Sequence, residues 1–374
     1  MCRFIALFAF AIASCSAPVN LPSTPNSDIP ASLRTIDQSL AAATEFLVRS
    51  QSPDGPWRSD IYGTFKNGTA LTPFAVVALQ SANTAPEARR KGAAYLAAMV
   101  TAEVTINEGP DGLDFPVYTA SLSVIALSHP ENKHHLPARD AWLRYLLDRQ
   151  LTEKLGWKEG EKEYGGWGYC RALPTKPEAK ELAPPLIESN LSATVFALEA
   201  LRAAGASDGK IYEKAHAFVR SCRNDDGGFH FIYDDPVRNK AGAESGDLRR
   251  FHSYGSTTAD GARAMALCGH PDPQAVRWLH EHFRVDRHPG HYIPTHESNR
   301  DAVYYYYAAS AAKSLRQSKA ESDRSAKLAA ELIRRQQHDG SWSNPVELVR
   351  ENDPIVATCH AVTAIAECRA ANAK

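Results

Sequence analysis

The 374-residue chain has a formal net charge of −1 with its 14 histidines neutral, and 44% of its residues are hydrophobic. A charge so evenly balanced provides no electrostatic basis for binding nucleic acid or a strongly acidic partner, and the hydrophobic share is ample for a large core. Five of the seven cysteines lie beyond residue 15, so complete intramolecular pairing is impossible and we expect buried thiols rather than a disulfide framework.

The first residues are typical of an export signal. Arg3 precedes an apolar run over residues 4–13 that is too short to span a bilayer as a helix, and the sequence that ends at Cys15 resembles a bacterial lipobox. We therefore expect residues 1–15 to be a lipoprotein signal peptide, with Cys15 as the lipidated terminus, and residues 16–33 to be a flexible tether. This predicts an exported lipoprotein on the periplasmic or outer-membrane side. An ordinary cleaved signal and a wrongly assigned start codon are the alternatives.

Beyond residue 33, two kinds of helical segment alternate. Segments with apolar residues at helical spacing and one charged face predict amphipathic outer helices, at 36–51, 86–100, 137–150, 211–222, 273–284 and 323–337. Segments with very few charges predict inner helices that are buried nearly all round, at 69–82, 115–128, 190–204, 254–268, 301–315 and 353–368. Six alternating pairs predict an all-α fold, a single (α/α)6 toroid over residues 34–374. An open solenoid of helical hairpins is the alternative.

A seven-residue phrase recurs between outer and inner segments. It reads QSPDGPW at Gln51–Trp57 and QQHDGSW at Gln336–Trp342, and RNDDGGF at Arg223–Phe229 is a third copy. GGWGY at 165–169 and HPGHY at 288–292 are more degenerate. Asp-Gly favours a tight turn, and the aromatic residue after it can fold back onto the helix that carries the Gln or Arg. Each copy therefore predicts the end of an outer helix.

The phrase and the alternating helices together resemble the repeat of the terpenoid cyclase and protein prenyltransferase superfamily. Squalene-hopene cyclases and the β subunits of protein prenyltransferases share it, and the resemblance covers the chain from about residue 36 to the end. It implies a toroid with a central cavity. The length fits one toroid, as in the prenyltransferase β subunit, whereas triterpene cyclases have two.

The catalytic signatures of both families are not matched. The cyclase motif D-x-D-D-T-A falls on Asn190–Val195, which puts Ser192 at the position of the acid, and a hydroxyl cannot protonate an alkene. The zinc ligands of the prenyltransferases fall on His252, Tyr254 and Ala357, and the sequence has no C-x-x-C or H-E-x-x-H spacing. We therefore expect no metal and no other cofactor.

Candidate site residues follow from the ring geometry. The turns from outer to inner helices gather at one end of such a ring, so polar residues at the starts of the inner helices converge on one mouth. Helix capping is the alternative role for each carboxylate, and tyrosine faces in a lumen can stabilise a carbocation or pack against a sugar ring. The acid candidates are Asp114, Asp260 and Asp353, and the ligand-binding candidates are His252, Tyr254, Glu297, Tyr304 and Tyr307.

Three functions stay open at this point. The first is binding of an apolar or isoprenoid ligand in the central cavity, with terpenoid-cyclase-like catalysis unproven. The second is a carbohydrate-active enzyme, which would place two carboxylates about 5 to 10 Å apart across a wet groove. The third is a non-catalytic exported binding or interaction module. We expect an apolar small molecule or lipid as the partner, a membrane contact through the lipid anchor, and no nucleic acid.

Overall fold

Twelve α-helices provide almost all of the regular structure in the computed structural model, which describes residues 34–110, 112–244, 247–317 and 322–372. The outer helices are α1 (Ile36–Arg49), α3 (Pro86–Ala98), α5 (Leu136–Leu147), α7 (Gly209–Ser221), α9 (Pro273–His282) and α11 (Ser322–Arg335). The inner helices are α2 (Leu71–Ala82), α4 (Pro116–Ser128), α6 (Leu191–Ala204), α8 (Gly255–Leu267), α10 (Tyr304–Gln317) and α12 (Pro354–Asn372). The predicted signal peptide, Cys15 and the tether lie outside the described residues.

The connectors contain short elements. Single 3-10 helices cover Gly63–Phe65, Pro130–His135, Glu153–Leu155 and Pro294–Val303. Two short strands, β1 (Ala243–Glu244) and β2 (Asp247–Phe251), pair antiparallel in the connector before α8. The predicted all-α class is thus confirmed.

The inner helices form a closed ring. Each packs against the next in the order α2, α4, α6, α8, α10 and α12, and α12 packs against α2. The first outer helix, α1, contacts both α11 and α12. An open solenoid would leave its first and last inner helices apart, so this contact excludes the solenoid and confirms the (α/α)6 toroid.

The inner and outer helices differ in how much of their surface is buried. In α8 every residue from Gly255 to Met265 is buried, whereas α7 buries only Ala215, Phe218 and Val219. Helices surrounded on all sides need small residues where their neighbours approach closely. At Gly261 a Cβ atom would lie 2.4 Å from the ring of Phe229, so this crossing requires glycine.

The first copy of the repeated phrase ties three elements together. The Gln51 side-chain amide donates to the carbonyls of Gly55 (2.6 Å) and Ala88 (3.0 Å), the latter in the first turn of α3. The Trp57 indole is fully buried and donates to the Leu47 carbonyl of α1 at 2.7 Å. The turn therefore fixes the end of one outer helix against the beginning of the next.

The last copy closes the ring with the same bonds. The Gln336 amide donates to the carbonyls of Gly340 and of Ser39 in α1, both at 2.9 Å, and Trp342 donates to Leu332 at 2.8 Å. The Gln336 side-chain oxygen also accepts from the Arg34 guanidinium at 2.9 Å. The start of the described chain is thus held against the last connector.

The degenerate copy GGWGY makes the same bonds, although an inserted segment divides it from its glutamine. Gln150 donates to Gly165 (2.9 Å) and to Ile211 of α7 (3.1 Å), and the Trp167 indole donates to Leu146 at 2.9 Å. Residues 151–164 lie between the glutamine and its turn, which is why the sequence presents only the degenerate GGWGY.

Each turn is also fixed to the inner helix that follows it. The backbone N–H of the aromatic residue donates to a buried threonine hydroxyl, and all four bonds measure 3.1 Å. The pairs are Trp57 with Thr72, Trp167 with Thr194, Phe229 with Thr258, and Trp342 with Thr358. The rotation of these inner helices about their axes is therefore set by the turn.

Candidate ligand cavity

All six inner helices contribute to one cavity of about 410 Å³, which lies in the lumen of the ring. Its volume is in the lower part of the range of small-molecule sites, about 300 to 1,000 Å³. One lining residue from each inner helix in chain order illustrates its position: Phe74, Tyr118, Phe196, Ser256, Tyr306 and His360.

Aromatic side chains dominate the wall. Tyr118 packs edge-on against Phe196 at 4.8 Å between ring centroids, and the His360 ring packs against Phe74 (4.6 Å) and Tyr306 (5.4 Å). The nine aromatic lining residues are Phe65, Phe74, Phe115, Tyr118, Tyr169, Phe196, Phe231, Tyr254 and Tyr306. Such a wall offers apolar area and negative π faces, so it suits an apolar chain or a developing carbocation.

Glu351 is the one carboxylate that lines the cavity within the described part of the chain. Its side chain is 2% exposed and accepts hydrogen bonds from the Asn344 amide (2.9 Å) and from the backbone N–H groups of Tyr305 (3.0 Å) and Tyr306 (2.7 Å). Burial raises the pKa of Glu351 to about 7, with a further contribution from Asp301 and against the effect of these hydrogen bonds. A proton is therefore available at neutral pH, and the N–H donors stabilise the anion that its loss leaves.

Asp260 lies directly behind the cavity wall. Its Oδ2 accepts from the hydroxyls of Tyr306 (2.6 Å) and Ser192 (3.2 Å), and both of these residues line the cavity. Burial raises the pKa of Asp260, although Arg263 and the hydroxyls of Ser310 and Tyr306 act in the opposite direction. The carboxyl group is thus separated from a ligand by one hydroxyl group.

A buried ionic network supports this carboxylate. The Arg263 guanidinium donates to Asp260 at 3.1 Å and to Ser310 at 2.7 Å, and it also pairs with Glu199. The Lys313 ammonium reaches the second Glu199 oxygen at 2.9 Å. Despite its burial, the pKa of Glu199 is lowered to about 2 by these two cations. The network joins α6, α8 and α10, so a structural role for Asp260 accompanies any chemical one.

Solved structures share this architecture. A variant of the type II terpene cyclase MstE from Scytonema, in complex with geranylgeranyl dihydroxybenzoate as substrate, has a TM-score of 0.57 at 13% identity, over 90% of this chain and 97% of that one. A protein from Actinoplanes gives a TM-score of 0.56 at 15% identity, over 90% and 99%. The chain has a terpenoid-cyclase-like α/α toroid fold.

Toroids of this shape perform different chemistry. An unsaturated glucuronyl hydrolase specific for heparin has a TM-score of 0.55 at 12% identity, covering 90% of this toroid and 96% of that chain. No family model and no curated protein matches the sequence. At these identities the likeness establishes the fold of the toroid, and the function has to be argued from the cavity.

The three predicted acids occupy different environments in the toroid. Asp260 is the one that approaches the cavity. Asp353 is buried and accepts from the backbone N–H groups of Ile355 (2.9 Å) and Val356 (3.3 Å), so it caps α12. Asp114 pairs with the Arg171 guanidinium at 3.3 Å. Neither Asp114 nor Asp353 lines the cavity.

Two of the predicted ligand-binding residues, His252 and Glu297, lie away from the lumen. Glu297 is on the surface, where it pairs with Arg287 (2.7 Å) and Arg300 (2.7 Å). His252 packs against His291 with 4.8 Å between ring centroids, and burial lowers the pKa of His252. Neither residue lines the cavity.

Of the three tyrosines predicted to face the lumen, one lines the cavity and two do not. Tyr254 lines the cavity. Tyr304 and Tyr307 donate instead to the carbonyls of Val285 (2.6 Å) and Arg284 (2.9 Å), which lie in the connector after α9. Of the four consecutive tyrosines, the structure places Tyr306 at the cavity wall.

The four threonines that accept a hydrogen bond from the turn indicate which positions of an inner helix face the lumen. The sequence reasoning did not use this signal. The residue two places after each of them points inward. These residues are Phe74, Phe196 and His360, which line the cavity, and Asp260, which lies just behind it. Glu351, in contrast, lies on an irregular connector, where no periodicity indicates its direction.

Large exposed apolar side chains concentrate on the connectors from outer to inner helices. Seven of the ten in the described ranges lie there, and Leu348, which is 51% exposed, also lines the cavity. The seven are Ile61, Val104, Leu173, Leu182, Leu186, Val237 and Leu348. The end of the toroid that carries these connectors therefore exposes apolar side chains, one of them at the cavity itself.

The residues that the structure describes contain no group of three or more His, Cys, Asp or Glu side chains placed to hold a metal ion. They also contain no helix that is both long and apolar enough to cross a membrane.

Proposed function

We propose that the toroid binds an apolar or isoprenoid chain in its central cavity. The observation that carries this proposal is the wall, which contains nine aromatic side chains and one carboxylate among the residues that the structure describes. A chain that fills this space would remove apolar surface from water on both sides, which is the main source of affinity in such a site. The similar fold of MstE, whose structure contains a geranylgeranyl dihydroxybenzoate substrate, adds support.

We place the proton donor of a terpenoid-cyclase-like reaction at Glu351. Protonation of an alkene would move the proton from the Glu351 carboxyl to carbon and leave a carbocation against the aromatic faces. The bonds from Asn344 and from the backbone at Tyr305 and Tyr306 would stabilise the carboxylate that forms. Loss of a proton from a neighbouring carbon back to that carboxylate would restore both the enzyme and an alkene.

Native mass spectrometry with farnesol and geranylgeraniol tests the binding proposal. Leu122→Trp would fill the cavity and should abolish binding, because Leu122 lines it. Val48→Trp adds the same indole to the outer surface, where Val48 is 43% exposed, and should bind like the wild type. Thermal unfolding of both variants separates a filled cavity from a misfolded one. Binding that survives in a folded Leu122→Trp variant would contradict the proposal.

The glycan alternative has less support from the site. Cleavage of a glycosidic bond by the usual route needs two carboxylates that flank the bond. Among the described residues Glu351 is the one carboxylate that lines the cavity, and the similarity to the heparin-specific hydrolase concerns the fold.

We also propose that the protein is exported and attached to a membrane through a lipid on Cys15. The signal-like sequence of residues 1–15 supports this, and the apolar side chains on the connectors suit a position beside a lipid surface. The N-terminal peptide of the mature protein should carry a diacylglyceryl group in mass spectrometry, and Cys15→Ser should release the protein from the membrane fraction.

A further inference from the structure

The connector between α11 and α12 contains a short loop at the cavity. The loop is closed at its base by a hydrogen bond from the Asn344 backbone N–H to the Glu351 carbonyl, at 2.9 Å. We call residues 345–350, which lie between these two, the strap. The strap residues that line the cavity are Leu348, Val349 and Arg350. The strap therefore forms part of the cavity wall at the end of the toroid where the connectors lie.

The base of the strap is held against the start of α10. The Glu351 carboxylate accepts from the backbone N–H groups of Tyr305 (3.0 Å) and Tyr306 (2.7 Å). The Asn344 side-chain amide donates to the Asp301 carbonyl, just before α10, at 2.7 Å. Buried hydrogen bonds of this kind are costly to break, so the base is a fixed point from which the strap extends.

The strap itself is attached on the opposite side through Arg350. Its Nη1 donates to the Thr64 hydroxyl, in the connector before α2, at 2.6 Å. In the described ranges this is the one hydrogen bond that joins the strap to another connector. The guanidinium also lies over three aromatic rings, with distances to the centroids of 5.2 Å, 5.6 Å and 5.0 Å for Tyr62, Phe65 and Phe115. Cation–π contacts at such distances are favourable but weak in partly exposed sites.

These contacts place the strap across the mouth of the lumen. The inner helices α10, α12, α2 and α4 follow one another around the ring. The base of the strap is bonded at α10, and Arg350 passes the connector before α2 to reach Phe115, which immediately precedes α4. One short loop thus spans the starts of four of the six inner helices. Leu348 is both 51% exposed and part of the cavity wall, so the strap lies between the cavity and solvent.

The backbone of the strap is strained at its attachment. Arg350 has a φ of +68°, in the left-handed region that is unfavourable for a residue with a Cβ atom. Strain of this kind persists only where surrounding contacts impose it. The contacts of the Arg350 side chain therefore hold the strap in a conformation that its own backbone disfavours, and their loss should favour its release.

We propose that the strap is a gate and that Arg350 is its latch, so that a ligand enters and leaves when the guanidinium moves away from Thr64 and the three rings. This inference rests on the proposed function, because the ligand occupies the same cavity. The base stays bonded to α10, so Glu351 keeps its position while the gate opens. Since the latch closes the free and the occupied cavity alike, weakening it should speed entry and exit equally.

Surface plasmon resonance with farnesol as the analyte measures both rate constants. Arg350→Ala should raise the association and dissociation rate constants by the same factor, roughly 10-fold, as expected for the loss of one hydrogen bond and the cation–π contacts. The Kd should stay unchanged. Immobilised Leu122→Trp, whose cavity is filled, serves as the reference surface and subtracts adsorption of farnesol outside the cavity.

Thr64→Val gives a second test that leaves the cavity wall intact. It removes the acceptor of the Arg350 bond and keeps the shape of the side chain, and Thr64 does not line the cavity. Both rate constants should rise by roughly 3-fold, with no further effect when Thr64→Val is combined with Arg350→Ala. The matched control is Arg58→Ala. Arg58 lies in the same connector, pairs with Asp54 at 2.6 Å and does not line the cavity, so this variant should keep the wild-type rates.

The pattern of rate constants decides between the gate and its alternatives. Faster dissociation alone, with a weaker Kd, would show that Arg350 is a contact of the ligand. Unchanged rates in both Arg350→Ala and Thr64→Val would show that the ligand passes elsewhere. Either result would overturn the inference and leave the proposed function intact. Failure of the wild type to bind farnesol would overturn the proposed function and this inference with it.

Discussion

The Glu351 carboxyl group is subject to two opposing effects on its protonation. It is buried in a largely aromatic cavity, which favours the protonated form, and it accepts three N–H donors, which favour the carboxylate. The balance raises its pKa from the ordinary 4.5 to about 7. A group in this state changes its charge close to neutral pH, so both ligand binding and stability should respond to pH there.

Glu351→Gln should remove a defined pH dependence of stability. Because the pKa is raised, the folded protein binds more protons than the unfolded chain between pH 4.5 and about 7, so stability falls as pH rises through that window. The wild type should lose roughly 3 kcal/mol relative to the variant across it. Urea unfolding at several pH values measures the difference.

The control for this experiment is Glu347→Gln, which changes an exposed carboxyl on the same connector. Its stability should follow that of the wild type at every pH. The glutamine at 351 also turns its NH₂ group towards a backbone N–H, so a constant loss of stability is expected in addition. A difference between wild type and Glu351→Gln that does not change with pH would show that the carboxyl titrates normally.

The sequence predicted part of the site at this scale. Asp260 and Tyr254 were identified because they lie at the start of an inner helix, and both are at or near the cavity. The sequence reasoning selected Tyr304 and Tyr307 and did not select Tyr306, since adjacent residues on a helix differ by about 100° and the absolute rotation was unknown. Glu351 could not be identified, because its direction depends on the path of an irregular connector.

At the scale of elements, the turn phrase determines how helices join. Its glutamine bonds to the next outer helix, its aromatic residue to the previous one, and its backbone to a threonine of the inner helix. The sequence predicted where outer helices end and that the aromatic residue folds back onto the preceding helix. It did not predict the bonds to the next outer helix and to the threonine. It recognised GGWGY at 165–169 only as a degenerate copy and did not connect it with Gln150, because a fixed spacing does not allow for the insertion at 151–164.

Gly340 and Gly160 allow a test of the close packing in this turn. Both have a left-handed backbone, with φ of +92° and +89°. A Cβ at Gly340 would lie 2.2 Å from the Ala42 carbonyl oxygen, whereas a Cβ at Gly160 meets nothing within 4 Å. Gly160→Ala should therefore cost about 1 to 2 kcal/mol, the backbone term alone, and Gly340→Ala more than about 3 kcal/mol.

Denaturant unfolding of the two alanine variants measures this difference directly. The shared φ cancels in the comparison, so the excess at Gly340 reports the contact between the last turn and α1. Equal losses in the two variants would mean that α1 can move away from the turn without cost, and that the ring is held elsewhere.

At the scale of the whole molecule, the alternation of apolar and amphipathic segments was sufficient to predict the toroid. Whether a helix belongs to the inner or the outer layer depends on how much of its surface is apolar, and this can be read from the sequence. Closure was inferred from the number of pairs, and the structure shows its basis in Gln336, which bonds to Ser39 and Arg34. The residues that line the cavity were harder to predict, since several of them lie on connectors of irregular structure.

Because the ring of helices is closed, the order of the helices along the chain could be changed. The two ends of the described toroid are neighbours: Arg369 of α12 binds Asp37 of α1 at 3.2 Å, and α1 packs against α12. A circular permutant that joins these ends with a short Gly/Ser linker and opens at residues 205–208, between α6 and α7, should keep its helical circular dichroism and one cooperative thermal transition. Two separate transitions would indicate that continuity of the original chain matters more than contacts. If the permutant folds, the hairpin that begins with α7 can serve as the first as well as the one that begins with α1, and the position of the termini is then not fixed by the packing of the ring.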